Sequence, residues 1–258
     1  MAAMTSTASH THRDTLAFML TILGASVWAM VPAVAALEGE GLGPNVGISV
    51  VFAVGGLLGA WSGTTVWRHV SWTVPAIAAG IIAAGIMELR HHAQTGSFGI
   101  ETSAVAAVAA AAAGGAVGAM LGRSARSVRR TLVAAWITFS GPGLVGVGAG
   151  VSLVLGYVPT DSAVWLVYAS FLPGAILAAV FCRNVHPGAF FSVLFLLLLS
   201  FFLIAASKGG AGAGGAFVGA LLFSAVVAAI SAIPIRIAYR PEAAAADLPT
   251  ATLVDRSS

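Results

Sequence analysis

Residues 131–156 read TLVAAWITFSGPGLVGVGAGVSLVLG. The run carries no charge, yet Ser140-Gly141-Pro142-Gly143 stands in its middle, a combination that ordinarily ends a helix and opens a turn. Nothing on either side is polar enough for a surface loop. The stretch exceeds the roughly 20 apolar residues that cross a bilayer as a helix. It also lacks the strict in–out alternation of a barrel strand. It therefore reads as a membrane helix interrupted near its centre.

The rest of the chain agrees. Of 258 residues, 59% are hydrophobic and only 8% charged. Soluble domains use about 25% charged residues. The mean hydropathy is +0.97. Eight spans are expected, over residues 15–37, 46–67, 70–88, 103–122, 131–156, 163–182, 188–206 and 213–235. The expected fold is thus all-α, a polytopic membrane bundle of about eight transmembrane helices. The first span is longer than the roughly 7–15 apolar residues of a signal-peptide core. It is expected to be retained, although Ala33 to Leu37 offers small residues of the kind found at cleavage sites.

Arginine placement orients the bundle. With the N-terminus in the cytoplasm, ten basic residues lie inside: Arg13, Arg68, Arg123, Arg126, Arg129, Arg130, Arg183, Arg236, Arg240 and Arg256. Arg90 and Lys208 are the two outside, where Glu38, Glu40, Glu101 and Asp161 also fall. Such a bias places both termini in the cytoplasm, and a bacterial inner membrane is the expected location. It also accounts for the net charge of +3 without nucleic acid as a partner.

Two pairs of matching segments suggest an internal repeat. Arg13-Asp14-Thr15-Leu16 and Arg129-Arg130-Thr131-Leu132 precede the first and fifth spans, 116 residues apart. Gly59, Ala60, Arg68 and Val70 match Gly174, Ala175, Arg183 and Val185 at a separation of 115. Units with an even number of spans share one orientation, related by an axis along the membrane normal. The expected organisation is a disordered N-terminus (1–12), a first four-helix repeat (13–122), a basic cytoplasmic loop (123–130), a second repeat (131–240) and a disordered tail (241–258).

Glycines four residues apart lie on one helix face, where backbones approach closely. Gly55, Gly59 and Gly63, then Gly114, Gly118 and Gly122, then Gly215 and Gly219 follow this spacing. The second, fourth and eighth spans are accordingly expected at the centre. The seventh, AFFSVLFLLLLSFFLIAA (189–206), is bulky and is expected to face lipid. Self-association into a homo-oligomer is left open.

The sixth span is broken as well, at Ser170-Phe171-Leu172-Pro173-Gly174. A proline removes one helical hydrogen bond, and lipid offers no replacement. Such a break survives where protein or a water-filled cavity receives the freed group. Two broken helices at one depth point to a transporter's binding site. Ser140, Gly141, Pro142, Gly143, Tyr168, Ser170 and Pro173 are the expected substrate-binding residues, lining one midplane cavity.

No acidic or basic residue falls near the middle of a span, which disfavours a carrier driven by a buried carboxylate. Glu88, His91 and His92 lie close together at an outer helix end but read as a solvated patch, so no metal or cofactor is expected. Cys182 is the single cysteine and reads as a small apolar filler. No phosphate-binding loop, nucleophile elbow or zinc-protease motif occurs, and no enzymatic activity is expected. The expected function is a permease or exporter of a small solute. The alternative is a non-transporting subunit for membrane assembly or partner binding.

The orientation has a direct check. A phosphatase that folds only outside the cytoplasm should be active when fused after Glu40 and inactive when fused after Arg126 or Arg240. The reverse pattern would invert the bundle.

Overall fold

The computed structural model describes residues 3–37, 46–66, 71–97, 99, 102–124, 130–154, 160–206 and 213–240. All regular structure among them is helical: α1 (Ala3–Leu37), α2 (Val46–Val66), α3 (Thr73–Thr95), α4 (Thr102–Ser124), α5 (Arg130–Val154), α6 (Thr160–Ala169), α7 (Phe171–Phe181), α8 (Pro187–Ala206) and α9 (Ala213–Ala238). Six of these are long and apolar enough to cross a bilayer: α1, α2, α3, α4, α8 and α9. The expected spans over 131–156 and 163–182 correspond to α5 and to the α6–α7 pair. The chain is a multi-pass membrane protein built as a helical bundle.

Helix ends follow local chemistry. α3 closes on Gly96, whose left-handed backbone (φ 71°) lets its N–H reach the His92 carbonyl at 2.8 Å. Between α7 and α8 the chain turns through Asn184 at φ 62°, a conformation that asparagine tolerates. α8 then begins on Pro187, where a missing N–H costs nothing. One expectation is corrected at the N-terminus. Residues 1–12 read as disordered, but α1 is helical from Ala3. No glycine or proline precedes Gly24, so nothing in that segment stops the helix from extending outward. The tail 241–258 and loop residues 125–129 lie outside the described residues.

The most extensive seam joins α2 to α4. Three glycines of α4 place their α-hydrogens against α2. A methyl at Gly114 would sit 2.0 Å from the Ala53 carbonyl oxygen, at Gly118 2.2 Å from that of Leu57, and at Gly122 1.7 Å from the Thr64 hydroxyl. Gly56 answers from α2, where a methyl would sit 2.3 Å from the Ala111 carbonyl oxygen. The two backbones touch, and only glycine fits.

The two halves use corresponding pairings: α1 on α2 and α5 on α7, α3 on α4 and α8 on α9, α2 on α4 and α7 on α9. At the first of these the match reaches single residues. Gly59 packs on the backbone of Ile22, and Gly174 packs on the backbone of Thr138. These positions are separated by 115 and 116 residues, the same offsets as in the matching segments of the sequence.

The ranking of central and peripheral helices holds for α8, which is the least buried of the six bilayer-length helices as expected of a lipid-facing span, and fails for α9, which is the next least buried. α8 buries Phe190, Leu194 and Leu198 completely, while Leu196 on its other face is exposed. That single i, i+4 stripe of bulky residues lays α8 against α9, α1 and α5 while the rest of its surface stays open. Gly215 and Gly219 of α9 meet nothing within 4 Å. Glycine spacing marks a close approach only where a second backbone is present.

Gly118→Leu should therefore destabilise the detergent-solubilised protein by about 1–3 kcal/mol, the usual cost of overpacking, or prevent folding. Gly219→Leu should leave the melting temperature unchanged. Equal losses at the two positions would contradict the seam described.

Candidate functional site

Pro142 lies inside α5 without ending it. It has no N–H to donate to the Thr138 carbonyl one turn earlier. That carbonyl is met by α7: a methyl at Gly174 would lie 2.2 Å from the Thr138 oxygen, so a glycine α-hydrogen points at it. The contact is reciprocated, with Gly141 of α5 facing the Ser170 carbonyl at 2.1 Å by the same measure. Weak Cα–H···O contacts of this kind recur where membrane helices cross closely. The fifth span, expected to be interrupted, is thus unbroken, and its proline site lies beside the break of the sixth span as a crossing of α5 on α7.

That crossing changes the picture of the expected site. Ser140, Gly141, Pro142 and Gly143 are all buried. The Ser140 hydroxyl donates to the Ile137 carbonyl at 2.5 Å, and Gly143 packs on Leu23 and Val27 of α1. The Ser170 hydroxyl likewise donates to the Val167 carbonyl within its own helix. Both serines spend their hydroxyls locally. Where open space was expected between the breaks, the structure has packed backbone.

Open space lies on the other face of the α6–α7 break. A cleft of about 210 Å³ is walled by Tyr168, Ala169, Phe171 and Leu172 on one side and by Val227, Ile230 and Ser231 of α9 on the other. Of the seven expected site residues, Tyr168 lines this cleft. Ser170 sits within its α6–α7 wall and Pro173 follows directly, with an exposed side chain. The four residues from α5 lie outside the lining.

The polar inventory of the cleft comes from two prolines and one serine. Pro173 cannot donate to the Ala169 carbonyl, and α6 ends at Ala169 for that reason. Pro234, inside α9, cannot donate to the Ile230 carbonyl. Ala169 and Ile230 line the two walls of the cleft, and the carbonyl of each lacks its helical donor. Between them Ser231 is 1% exposed, and its hydroxyl has no hydrogen-bond partner. A buried hydroxyl left unpaired costs about 1–3 kcal/mol. Sequence reasoning missed Ser231 and Pro234, because Pro234 stands near the end of its apolar span and does not read as an interruption.

Aromatic side chains back the α6 wall. Tyr168 lies 4.8 Å from Phe223 and 6.1 Å from both Phe202 and Trp165, between ring centroids. Trp28 and Trp136 pack between helices. Trp28 donates to the Leu197 carbonyl at 2.9 Å, Trp136 donates to the Ser62 hydroxyl at 3.1 Å, and the two rings meet edge-on at 5.4 Å.

A second space of about 360 Å³ lies between α3 and α4, walled by alanines and valines with Glu88 among them. Glu88 accepts a hydrogen bond from the Gly99 N–H at 2.9 Å. No group of three metal-ligating side chains occurs among the described residues. The only other buried hydroxyl without a partner, among the described residues, is Ser26. It shares the i, i+4 stripe of Phe18, Ile22 and Met30, which packs on Gly63, Gly59 and Gly55 of α2. Comparison with known protein families, curated proteins and solved structures finds no match.

Gly174→Ala should lower stability by about 1–3 kcal/mol through overpacking of the crossing. Gly146→Ala in the same region of α5, where nothing lies within 4 Å, should be neutral. A thermal-unfolding comparison in detergent checks both, and an unperturbed Gly174→Ala protein would refute the backbone contact.

Proposed function

We propose that the protein is a permease or exporter of a small solute, with its binding site in the cleft between the α6–α7 break and α9. The observation that carries this reading is Ser231, a buried hydroxyl without a partner. It sits between two residues whose carbonyls lack helical donors. Such groups are costly in a bilayer and are tolerated where they line a cavity. Interrupted helices at mid-membrane are the recurring way in which transporters build such sites.

The wider reading is a protein of eight spans in a bacterial inner membrane, both termini in the cytoplasm, made of two parallel four-helix repeats at 13–122 and 131–240. The recurrence of Gly59 on Ile22 as Gly174 on Thr138 supports the duplication. Its two halves differ where the site is proposed. The α2–α4 seam is closed by glycine contacts, whereas between α7 and α9 there is a cleft. Arg13 supports the shared sidedness of the ends of α1 and α7. Its guanidinium donates to the Val180 carbonyl and lies 5.8 Å from the Phe181 ring. In this reading the protein is a transporter and not an enzyme, and its partners are the bilayer and the solute.

One feature favours the alternative of a non-transporting, partner-binding subunit. Gly215 and Gly219 form an open small-residue face on α9, the kind of face on which another helix docks.

The discriminating experiment is flux in proteoliposomes. A solute library is screened for protein-dependent uptake, and the transported solute is then followed in wild type, Ser231→Leu and Pro142→Ala. Ser231→Leu should abolish flux, because the larger side chain displaces its neighbours into the cleft and removes the unpaired hydroxyl, and its melting temperature is measured alongside to separate this from unfolding. Pro142→Ala, on the packed side of α7, should retain flux. Normal flux in Ser231→Leu would move the site elsewhere, and a library without any transported member would favour the partner-binding subunit.

A further inference from the structure

The cleft also specifies what kind of molecule fits it, an inference that rests on the permease reading for the identity of the site. Its size, openness and polar groups each restrict the ligand. A cavity of about 150 Å³ holds benzene, so the 210 Å³ here suits one small ring with a short substituent. Leu172 and Ile230, which line it, are 40% and 45% exposed on the bundle's outer surface. In a membrane that surface meets lipid, and a ligand entering there arrives through the hydrocarbon layer.

The polar groups are acceptors first. The Ala169 and Ile230 carbonyls can only accept hydrogen bonds, while the hydroxyls of Ser231 and Tyr168 can accept or donate. None of the residues lining the cleft is charged. An ion would therefore lose its hydration without gaining a counter-charge, at a cost far above that of a neutral polar group. A ligand without any donor would leave Ser231 and the carbonyls unpaired.

We infer that the cleft binds a small neutral solute with an apolar ring-sized body and at least one hydrogen-bond donor, entering sideways from the bilayer. The donor meets the carbonyls and Ser231 at the break, and the body rests on Phe171, Leu172 and Val227. The aromatic group of Tyr168, Phe223 and Phe202 stiffens the wall behind it.

Four probes of near-identical body separate the chemistry: para-fluorobenzyl alcohol, para-fluorotoluene, para-fluorobenzylammonium and para-fluorobenzoate. Each is followed by fluorine NMR with the full chain in nanodiscs, against empty nanodiscs. The alcohol should bind about three- to tenfold more tightly than fluorotoluene, the ratio expected for one net hydrogen bond. The two ions should not exceed the blank. Ser231→Ala should erase most of the alcohol's advantage while leaving fluorotoluene bound. Leu172→Trp, which fills the cleft, should abolish binding, and Val105→Trp in the α3–α4 space should not.

A preference for the ammonium would overturn neutrality and assign the carbonyls to a cation. Equal binding of alcohol and fluorotoluene in wild type, or no binding above the blank, would overturn the ligand class. Displacement of the alcohol by a fluorinated fatty acid at equal occupancy would make the cleft a lipid-chain groove and overturn it too. These outcomes are separable from failure of the permease reading. Alcohol binding without any solute flux would leave the site standing and remove transport.

Discussion

The bundle depends on glycine α-hydrogens pressed against the carbonyls of neighbouring helices. Within a bilayer, side chains gain little by leaving lipid for protein, so helices associate through close packing and polar contacts. Gly114, Gly118 and Gly56 let α2 and α4 meet backbone to backbone, and Gly141 with Gly174 does the same for α5 and α7. Gly24 adds a third such contact, where a methyl would lie 1.6 Å from the Trp136 carbonyl and α1 is locked to α5. Around these seams the large side chains fill what remains, with Phe18, Phe52, Phe139 and Phe190 wholly enclosed.

Prolines give the same constraint two different outcomes. Every backbone group inside a bilayer needs a partner, and each proline within a helix removes a donor. At Pro142 the orphaned Thr138 carbonyl is met by Gly174, and the region is solid. At Pro173 and Pro234 the affected residues, Ala169 and Ile230, line a cleft together with an unpaired serine. A proline by itself therefore marks a place where backbone is released. Whether that place becomes packing or a site depends on the helix opposite.

The asymmetry between the halves follows from the same accounting. α4 brings glycines to the α2 backbone at three successive turns, so that seam closes. α9 brings Val227, Ile230 and Ser231, and no glycine, to the cleft beside the α6–α7 break. Gly59 on Ile22 and Gly174 on Thr138 are like contacts, but the seam beside the first is tight and the one beside the second holds a cleft.

The sequence by itself determined the class of fold, because composition and the length of apolar runs are set against the thickness of a bilayer and need no tertiary information. It also located the backbone released at Pro142 and Pro173, since a proline lacks its N–H wherever it stands, although only at the second of these does the helix break. Only the tertiary structure decided what each released group faces. Gly118 and Gly219 read alike in sequence, yet one touches a carbonyl and the other touches nothing. Ser140 and Ser231 are both buried serines, but one hydroxyl is spent on its own helix and the other has no partner. Periodicity gives the face of a helix on which a residue lies, whereas the neighbour across that face is fixed by which helices pack together, a property of the whole bundle.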